Sequence, residues 1–269
     1  MYGTTRRESK MKLDTKVKIA TSVIIDALQN FNKPAVVWSA GKDSTVVLHL
    51  VKSFVEREGI TMPLCLFIDH GDHYPETMKM LNEVANEWGL KTIVARNDNV
   101  ISSVKNGMIK LSDLDDENIK AARSIGFNDE KFPYSLDSEI GNHLLKTLAM
   151  NKAVKYYRFD ALFTGVRWDE NAARSAEVFI SYRKEPEHYR IQPILTFTER
   201  DIWDYTFSNK LPVHPLYSKG FRSIDGMHDS KKTSDKPAWE QDLENTSERA
   251  GRSQDKEGMM EKLRMFGYM

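Results

Sequence analysis

Apolar residues recur at helical spacing from Val17 to Phe31, with Ile19, Val23, Ile24 and Leu28 on one stripe, and the spacing predicts an amphipathic helix leading into a core. A short apolar run, Pro34 to Trp38, is followed by a loop of small residues and then by Val46, Val47, Leu50, Val51, Phe54 and Val55, again at helical spacing. That reads as strand, tight turn, helix. Leu64 to Ile68 is continuously apolar and of strand length, as expected of a parallel strand covered on both faces. Pro75 opens a further helix whose buried stripe is expected to be Met78, Leu81, Val84, Ala85 and Trp88. Thr92 to Ala95 is a third strand, and Ala161 to Thr164, after a helix from about Glu139 to Tyr157, a fourth. Alternating strands and helices imply a doubly wound parallel sheet, an α/β fold with helices on both faces and right-handed crossovers.

Beyond Thr164 the texture changes. Val178 to Ser181 and Tyr189 to Ile191 read as short strands, and a helix runs from Thr198, its N-cap, to about Ser208 with Ile202, Trp203 and Tyr205 for packing. From Asp229 to Glu257, 14 of 29 residues are Asp, Glu, Lys or Arg, so this segment is expected to be a mobile tail, a lid or a partner-docking arm. Met259, Met260, Leu263, Met265 and Phe266 restore an apolar stripe and predict a short docking helix. The expected division is a lead-in over 1–14, a nucleotide-binding α/β domain over 15–228 and a charged C-terminal arm over 229–269.

The chain has 269 residues, enough for one large domain with an appendage at roughly 100–200 residues per domain. Its 39 Lys and Arg balance 39 Asp and Glu, which argues against non-specific nucleic-acid binding, since that needs excess positive charge. A local basic cleft stays open. One cysteine allows no intramolecular disulfide, no cysteine-rich zinc site and no redox pair, and it suits a reducing, cytoplasmic compartment. The first ten residues are charged with no apolar stretch behind them, unlike a secretory signal, and no run approaches the ~18 apolar residues of a membrane span.

The most informative stretch is Ser39-Ala-Gly-Lys-Asp-Ser44, between strand and helix. Small residues permit a sharp turn, Gly41 can take positive φ, and the N–H groups opening the helix favour an anion, with the helix dipole adding roughly 0.3–1 kcal/mol. Lys42 would place a point charge on the same phosphates, Ser39 and Ser44 offer hydroxyls, and Asp43 would cap the helix or hold a hydrated Mg²⁺. A Walker A loop is ruled out, because Val36 and Asp43 stand where it requires Gly and Ser or Thr. The bland reading is a strand-to-helix turn built of small residues. Asp69-His-Gly-Asp-His73 mixes carboxylates with imidazoles that can hold a transition metal, but no third distant ligand accompanies them, so the segment reads as shaping a pocket.

Ser39 to Ser44 after Val36-Val-Trp38 resembles the pyrophosphate loop of the ATP pyrophosphatase, or adenine nucleotide alpha hydrolase, superfamily. Within it, Trp38 to Leu50 looks most like the family of PAPS reductase and the small subunit of bacterial-type ATP sulfurylase, nearer the second. Further matches are Leu66 to Asp69 with Tyr74 to Thr77, Thr164 to Glu170 with Arg174, Pro193-Ile with Glu199 to Trp203, and His214 to Tyr217 with Gly220 to Ser223. The end segment Ser247 to Lys256 with Gly267-Tyr268 is also similar to the sulfurylase small subunit.

The resemblance implies ATP lying across the strand ends with Mg²⁺, its phosphates on Ser39, Ala40, Gly41, Lys42, Asp43 and Ser44. Asp69 is then placed at the ribose or adenine rim. Gly165 gives close backbone approach, and Arg167 and Arg174, on one helix face, bind the α-phosphate or oxyanion, oriented by Asp169 and Glu170. Lys42, Arg167 and Arg174 are the catalytic set implied. His214, Lys219 and Arg222 form a loop closing over the acceptor, although a Pro-flanked His is otherwise an ordinary surface residue.

Two chemistries divide the family. The reductase branch relies on a C-terminal cysteine, whereas the only cysteine here, Cys65, sits in a buried strand. The expectation is adenylyl transfer from ATP to an oxyanion, sulfate first, in sulfate assimilation. The alternatives are a PAPS reductase-like protein and a superfamily member adenylylating another acceptor, such as a flavin or a sulfur-transfer substrate. The resemblance also implies a GTPase large subunit as partner, and a homo-oligomer is open; neither nucleic acid nor membrane is expected as one.

Overall fold

The protein is described by a computed structural model over residues 11–248. The first helix, α1 (Leu13–Asn30), starts inside the expected lead-in and delivers the chain to β1 (Pro34–Val37). Then follow α2 (Lys42–Glu58), β2 (Leu64–Asp69), α3 (Pro75–Glu87) and β3 (Thr92–Arg96). An insertion carries α4 (Asp98–Ser102), β4 (Met108–Lys110), α5 (Asp116–Ser124) and β5 (Lys131–Pro133), with β4 and β5 paired antiparallel in a small sheet of their own. The hydrophobic pattern had left this stretch unassigned. Its elements are short, and their apolar residues serve a separate small core around Ile109, Phe132 and Leu144.

The long helix expected from Glu139 is α6 (Glu139–Asn142) running through a π-helical stretch, His143–Thr147, into α7 (Leu148–Tyr157). After it come β6 (Ala161–Phe163), the edge hairpin β7 (Ile180–Lys184) and β8 (Glu187–Ile191), α8 (Glu199–Ser208) and α9 (Pro215–Ser218). Thr198 caps α8 in a complete capping box with Asp201, as the sequence predicts. Pro75 is at the start of α3, and Leu81, Val84, Ala85 and Trp88 face the core as expected, but Met80 takes the place expected of Met78, which is 37% exposed.

The main sheet has the order β3-β2-β1-β6-β8-β7. All its pairings are parallel except β7 with β8. Strict alternation sorts the strand residues. Val36, Cys65, Phe67 and Phe163 face a core shared with α1, α2, α3 and α8, while Ala35, Leu66 and Leu162 face α7. Each Val or Phe so covered contributes roughly 1.5–3 kcal/mol. These are helices on both faces of one sheet, as expected. From β1 the chain moves outward to β2 and β3 on one side, and β6 lies on β1's other flank, so the strand order reverses between β1 and β6. Such a reversal opens a crevice at the carboxyl ends of the two strands.

The charged segment after Asp229 is laid against the body as far as it is described. Ala238 is buried, Trp239 and Leu243 pack around Trp203 and Tyr217, and Trp203 and Trp239 have ring centroids 5.4 Å apart. The short helix expected around Met259 to Phe266 lies outside the described residues. No helix among the described residues is long and apolar enough to cross a membrane.

Candidate active site

The loop after β1 turns on an unexpected residue. Gly41, the N-cap of α2, has φ −74° and ψ 155°, whereas Ala40 takes φ +58°. Positive φ costs a non-glycine residue about 1 kcal/mol or more, and the small Ala40 side chain is 1% exposed. Glycine at position 41 answers to crowding instead: a Cβ there would meet Ser39 Oγ at 3.2 Å and Tyr217 Oη at 3.7 Å. Ser39 and Ser44 brace the turn, with the Ser39 N–H donating to Ser44 Oγ at 3.2 Å and the two hydroxyls also 3.2 Å apart. The Lys42 N–H donates to the Tyr217 hydroxyl at 3.0 Å, which pins the first turn of α2 to α9.

Gly165, just beyond β6, is pressed against that turn. A Cβ at 165 would lie 2.8 Å from Ser44 N and 2.9 Å from the Asp43 carbonyl carbon. The two loops at the strand reversal are therefore in backbone contact, and they bring Lys42 and Arg167 into one buried cluster. Lys42 Nζ donates to Glu248 Oε1 at 2.5 Å and sits 3.2 Å from Asp43 Oδ2 and 4.0 Å from Glu199 Oε1. Arg167, fully buried, donates to Asp43, to Glu248, and at 2.8 Å to Asp169 Oδ1. Arg222 grips Glu199 Oε2 through Nε at 2.9 Å and a terminal nitrogen at 2.7 Å, and donates to the carbonyls of Asp242 and Leu243. Burial works against charge on Lys42, but Asp43 and Glu248 more than offset it, so the ammonium is held far above its usual range. Burial likewise opposes the Glu248 carboxylate, and Arg167 and Lys42 overcome it, holding that carboxyl well below the ordinary value.

Lys42, Arg167 and Arg222 are thus drawn together, linked by Asp43, Glu199 and Glu248. Arg174 is not part of this set. It ends a 3₁₀ turn, Ala172–Arg174, so no helix face is shared with Arg167, and it lies 3.8 Å from Glu170 and 3.9 Å from Glu177. Asp169 does orient Arg167, and its other oxygen accepts the Glu199 N–H at 2.8 Å, tying the loop after β6 to the start of α8.

His214 and Lys219 are placed elsewhere. His214 is 1% exposed: its Nδ1 accepts the Leu216 N–H and caps α9, and its Nε2 lies 2.9 Å from Thr77 Oγ1. Burial lowers its imidazole to about 4, so it is neutral at pH 7. Lys219 makes a surface pair with Glu76 at 3.0 Å. Neither joins the cluster, because α9 points its buried Tyr217, not these residues, at the loop.

Asp69, at the end of β2, is paired with Arg96 and accepts the Gly71 N–H at 2.8 Å. Next to it, a cavity of about 250 Å³ opens at the carboxyl ends of β1 and β2, lined by Trp38, Ser39, Ile68, His70, His73 and Thr77 among others. The His70 and His73 rings lie on its wall with centroids 3.6 Å apart, tilted by 34°. Among the described residues no three His, Cys, Asp or Glu side chains form a metal-holding group, and Asp43 has Arg167 on one oxygen and Lys42 near the other.

Glu199, Tyr217 and Glu248 carry contacts for which the sequence offered no role. Glu199 and Tyr217 stood inside matched motifs, and Glu199 is also an acidic residue in the first turn of α8. Glu248 stood inside the matched end segment Ser247 to Lys256, but the match gave it no role and its surroundings are a polar run rich in charge.

Fold and site together define a doubly wound α/β protein with buried cations beside the loop at its strand reversal. The phosphoadenosine phosphosulfate reductase domain model matches residues 33–232, and the chain belongs to that family. It is 26% identical over 234 residues to sulfate adenylyltransferase subunit 2 of Brucella anthropi, covering 77% of this chain and 68% of that one. In fold it is similar to FMN adenylyltransferase of Candida glabrata, with TM-score 0.63 and 16% identity over 90% of this chain and 88% of that one. It is also similar to phosphoadenylyl-sulfate reductase of Candida auris, with TM-score 0.55 and 18% identity over 80% and 94%.

Proposed function

We propose that this chain is a nucleotidyltransferase that moves the adenylyl group of ATP to an oxyanion, with sulfate as the leading acceptor. The observation that carries this is the meeting of Lys42 and Arg167 at the first turn of α2, with Arg222 joined to them through Glu199, where β1 and β6 diverge. Buried cations at a helix start, where the helix dipole also favours negative charge, suit the phosphates of a nucleotide. The name of the bacterial relative, sulfate adenylyltransferase subunit 2, supports sulfate over other acceptors.

On this reading the adenine occupies the cavity beside Trp38 and Ile68, with Asp69 shaping its rim through the Gly71 turn. The β- and γ-phosphates lie on the loop of Ser39 to Ser44, and Gly165 lets the backbone after β6 close on it. A sulfate oxygen attacks the α-phosphorus, the bond from the α-phosphorus to the bridging oxygen breaks, and pyrophosphate leaves with that electron pair. Lys42 neutralises the leaving charge and Arg167 the equatorial oxygens, so positioning and charge supply the catalysis. Arg174, beside Glu170 and Glu177, takes part in holding the incoming anion on the family resemblance alone.

Thiol reduction is the less supported alternative. Cys65 is the one cysteine of the chain, it is fully buried in mid-strand, and burial pushes its thiol up to about 12. The designation subunit 2 in the relative's name supports a companion subunit; its being a GTPase follows from the family resemblance alone. A reducing, cytoplasmic setting agrees with the lone free thiol.

ATP–pyrophosphate exchange, measured against sulfate, molybdate, flavin mononucleotide and small carboxylates, tests the proposal. Exchange stimulated by sulfate and lost in Lys42→Ala is the expected result. Exchange stimulated only by flavin mononucleotide would move the chain to the flavin-adenylylating reading, and sulfite release from PAPS requiring Cys65 would move it to the reductase branch.

A further inference from the structure

Among the described residues, the buried cluster at the loop contains no spare positive charge. Lys42, Arg167 and Arg222 are matched by Asp43, Glu199 and Glu248, and Asp169 adds a further carboxylate at its edge. A polyphosphate added to such a balanced, desolvated group would leave anionic charge unpaired, which burial penalises heavily. One carboxylate has to go before phosphate can come in.

The three carboxylates differ in how they are anchored. Asp43 is in the first turn of α2, and Glu199 is in the first turn of α8, where its N–H is held by Asp169. Glu248 is carried on a strap, residues 241–248, that has neither helix nor strand. The strap is held by Arg222 on the carbonyls of Asp242 and Leu243 and by Arg200 on Glu244 at the surface. A cavity of about 630 Å³ borders it on the side of Glu170, Thr198 and Thr246, giving it somewhere to go. Glu199 Oε1, buried without a hydrogen-bond partner among the described residues and 4.0 Å from Lys42, is placed to take up the ammonium when Glu248 leaves.

We infer that Glu248 is an internal competitor for the phosphate site: its carboxylate holds Lys42 and Arg167 in place of a ligand oxyanion, and a polyphosphate binds by displacing it with the strap 241–248. This rests on the phosphate-loop reading above and adds to it a closed state that the ligand itself must open. It also assigns the described end of the charged segment a task, as an anionic plug.

The test uses the full chain and inorganic pyrophosphate. Calorimetric titration of wild type, Glu248→Gln and Lys42→Ala is combined with hydrogen exchange of wild type with and without saturating pyrophosphate. Glu248→Gln, which keeps the shape and removes the charge, is expected to bind pyrophosphate about tenfold more tightly. In wild type, pyrophosphate is expected to speed exchange across 242–248 while α1 is unchanged. Equal or weaker binding by Glu248→Gln would show that Glu248 supports the site and would overturn the inference, as would unchanged or slower exchange in the strap. If Lys42→Ala binds as wild type does, or if no form binds, the phosphate-loop reading itself fails; binding by Glu248→Gln alone supports the plug in its strongest form.

Discussion

A side chain on Gly165 would stand 2.8 Å from the backbone nitrogen of Ser44, although 121 residues separate the two in the chain. This contact joins the loop after β6 to the first turn of α2, and it is what brings Arg167 to Lys42. Gly165→Ala is therefore expected to push the loops apart, costing about 1–3 kcal/mol of stability and weakening pyrophosphate binding by more than about tenfold. Calorimetric titration and urea unfolding of the variant check both; unaltered binding would mean that the loops act independently.

Arg167 serves three carboxylates from a fully buried position. Arg167→Met leaves Asp43 and Glu248 without it, and removal of one partner of a buried pair typically costs about 3–5 kcal/mol. Adding Glu248→Gln removes one stranded charge, so the double variant is expected to regain part of the loss. A double-mutant cycle in urea measures this, and simple additivity would show that Arg167 and Glu248 are not coupled.

Stability is expected to fall as the pH drops from about 6.5 to 4. His188 and His214 are buried, and burial first of all lowers each imidazole to about 4. Between that value and the ordinary one near 6.5 the unfolded chain binds a proton that the native state refuses, so stability is full above the window and is lost descending through it. Each imidazole accounts for about 2 kcal/mol at pH 5. His214→Asn keeps a cap for α9 and removes the titration, so its stability should differ less between pH 7 and pH 5 than that of wild type; an identical pH slope would contradict the assignment.

Cys65, fully buried with its thiol pushed up to about 12, is expected to resist alkylation by iodoacetamide in the native protein and to react once urea unfolds it. Cys65→Ala is expected to retain ATP–pyrophosphate exchange in full while losing roughly 1 kcal/mol of packing. Rapid native labelling, or loss of exchange in the variant, would reopen thiol chemistry.

The strand and helix order of the sheet was legible because apolar runs such as Leu64 to Ile68 and stripes such as Val46 to Val55 report burial directly. The insertion between β3 and α6 was not, since its short elements fold onto their own small core. Ser39 to Ser44 announced a loop after a strand, yet the positive φ fell on Ala40, and position 41 is glycine where a Cβ would crowd the Ser39 hydroxyl. His214 shows the opposite error: a histidine flanked by proline reads as available, and only its hydrogen bonds to Thr77 and the α9 backbone reveal a capping residue.

By itself the sequence determined the fold class, the position of the loop and the presence of Lys42 and Arg167, for these depend on local periodicity and on residue type. Which cations share a site was decided only by the tertiary structure. Arg174 and Arg167 are seven residues apart and have different partners, whereas Lys42 and Glu248, 206 residues apart, form a buried pair. Charge pairing in a desolvated cluster depends on distances of a few ångströms in space, and separation along the chain carries no record of them.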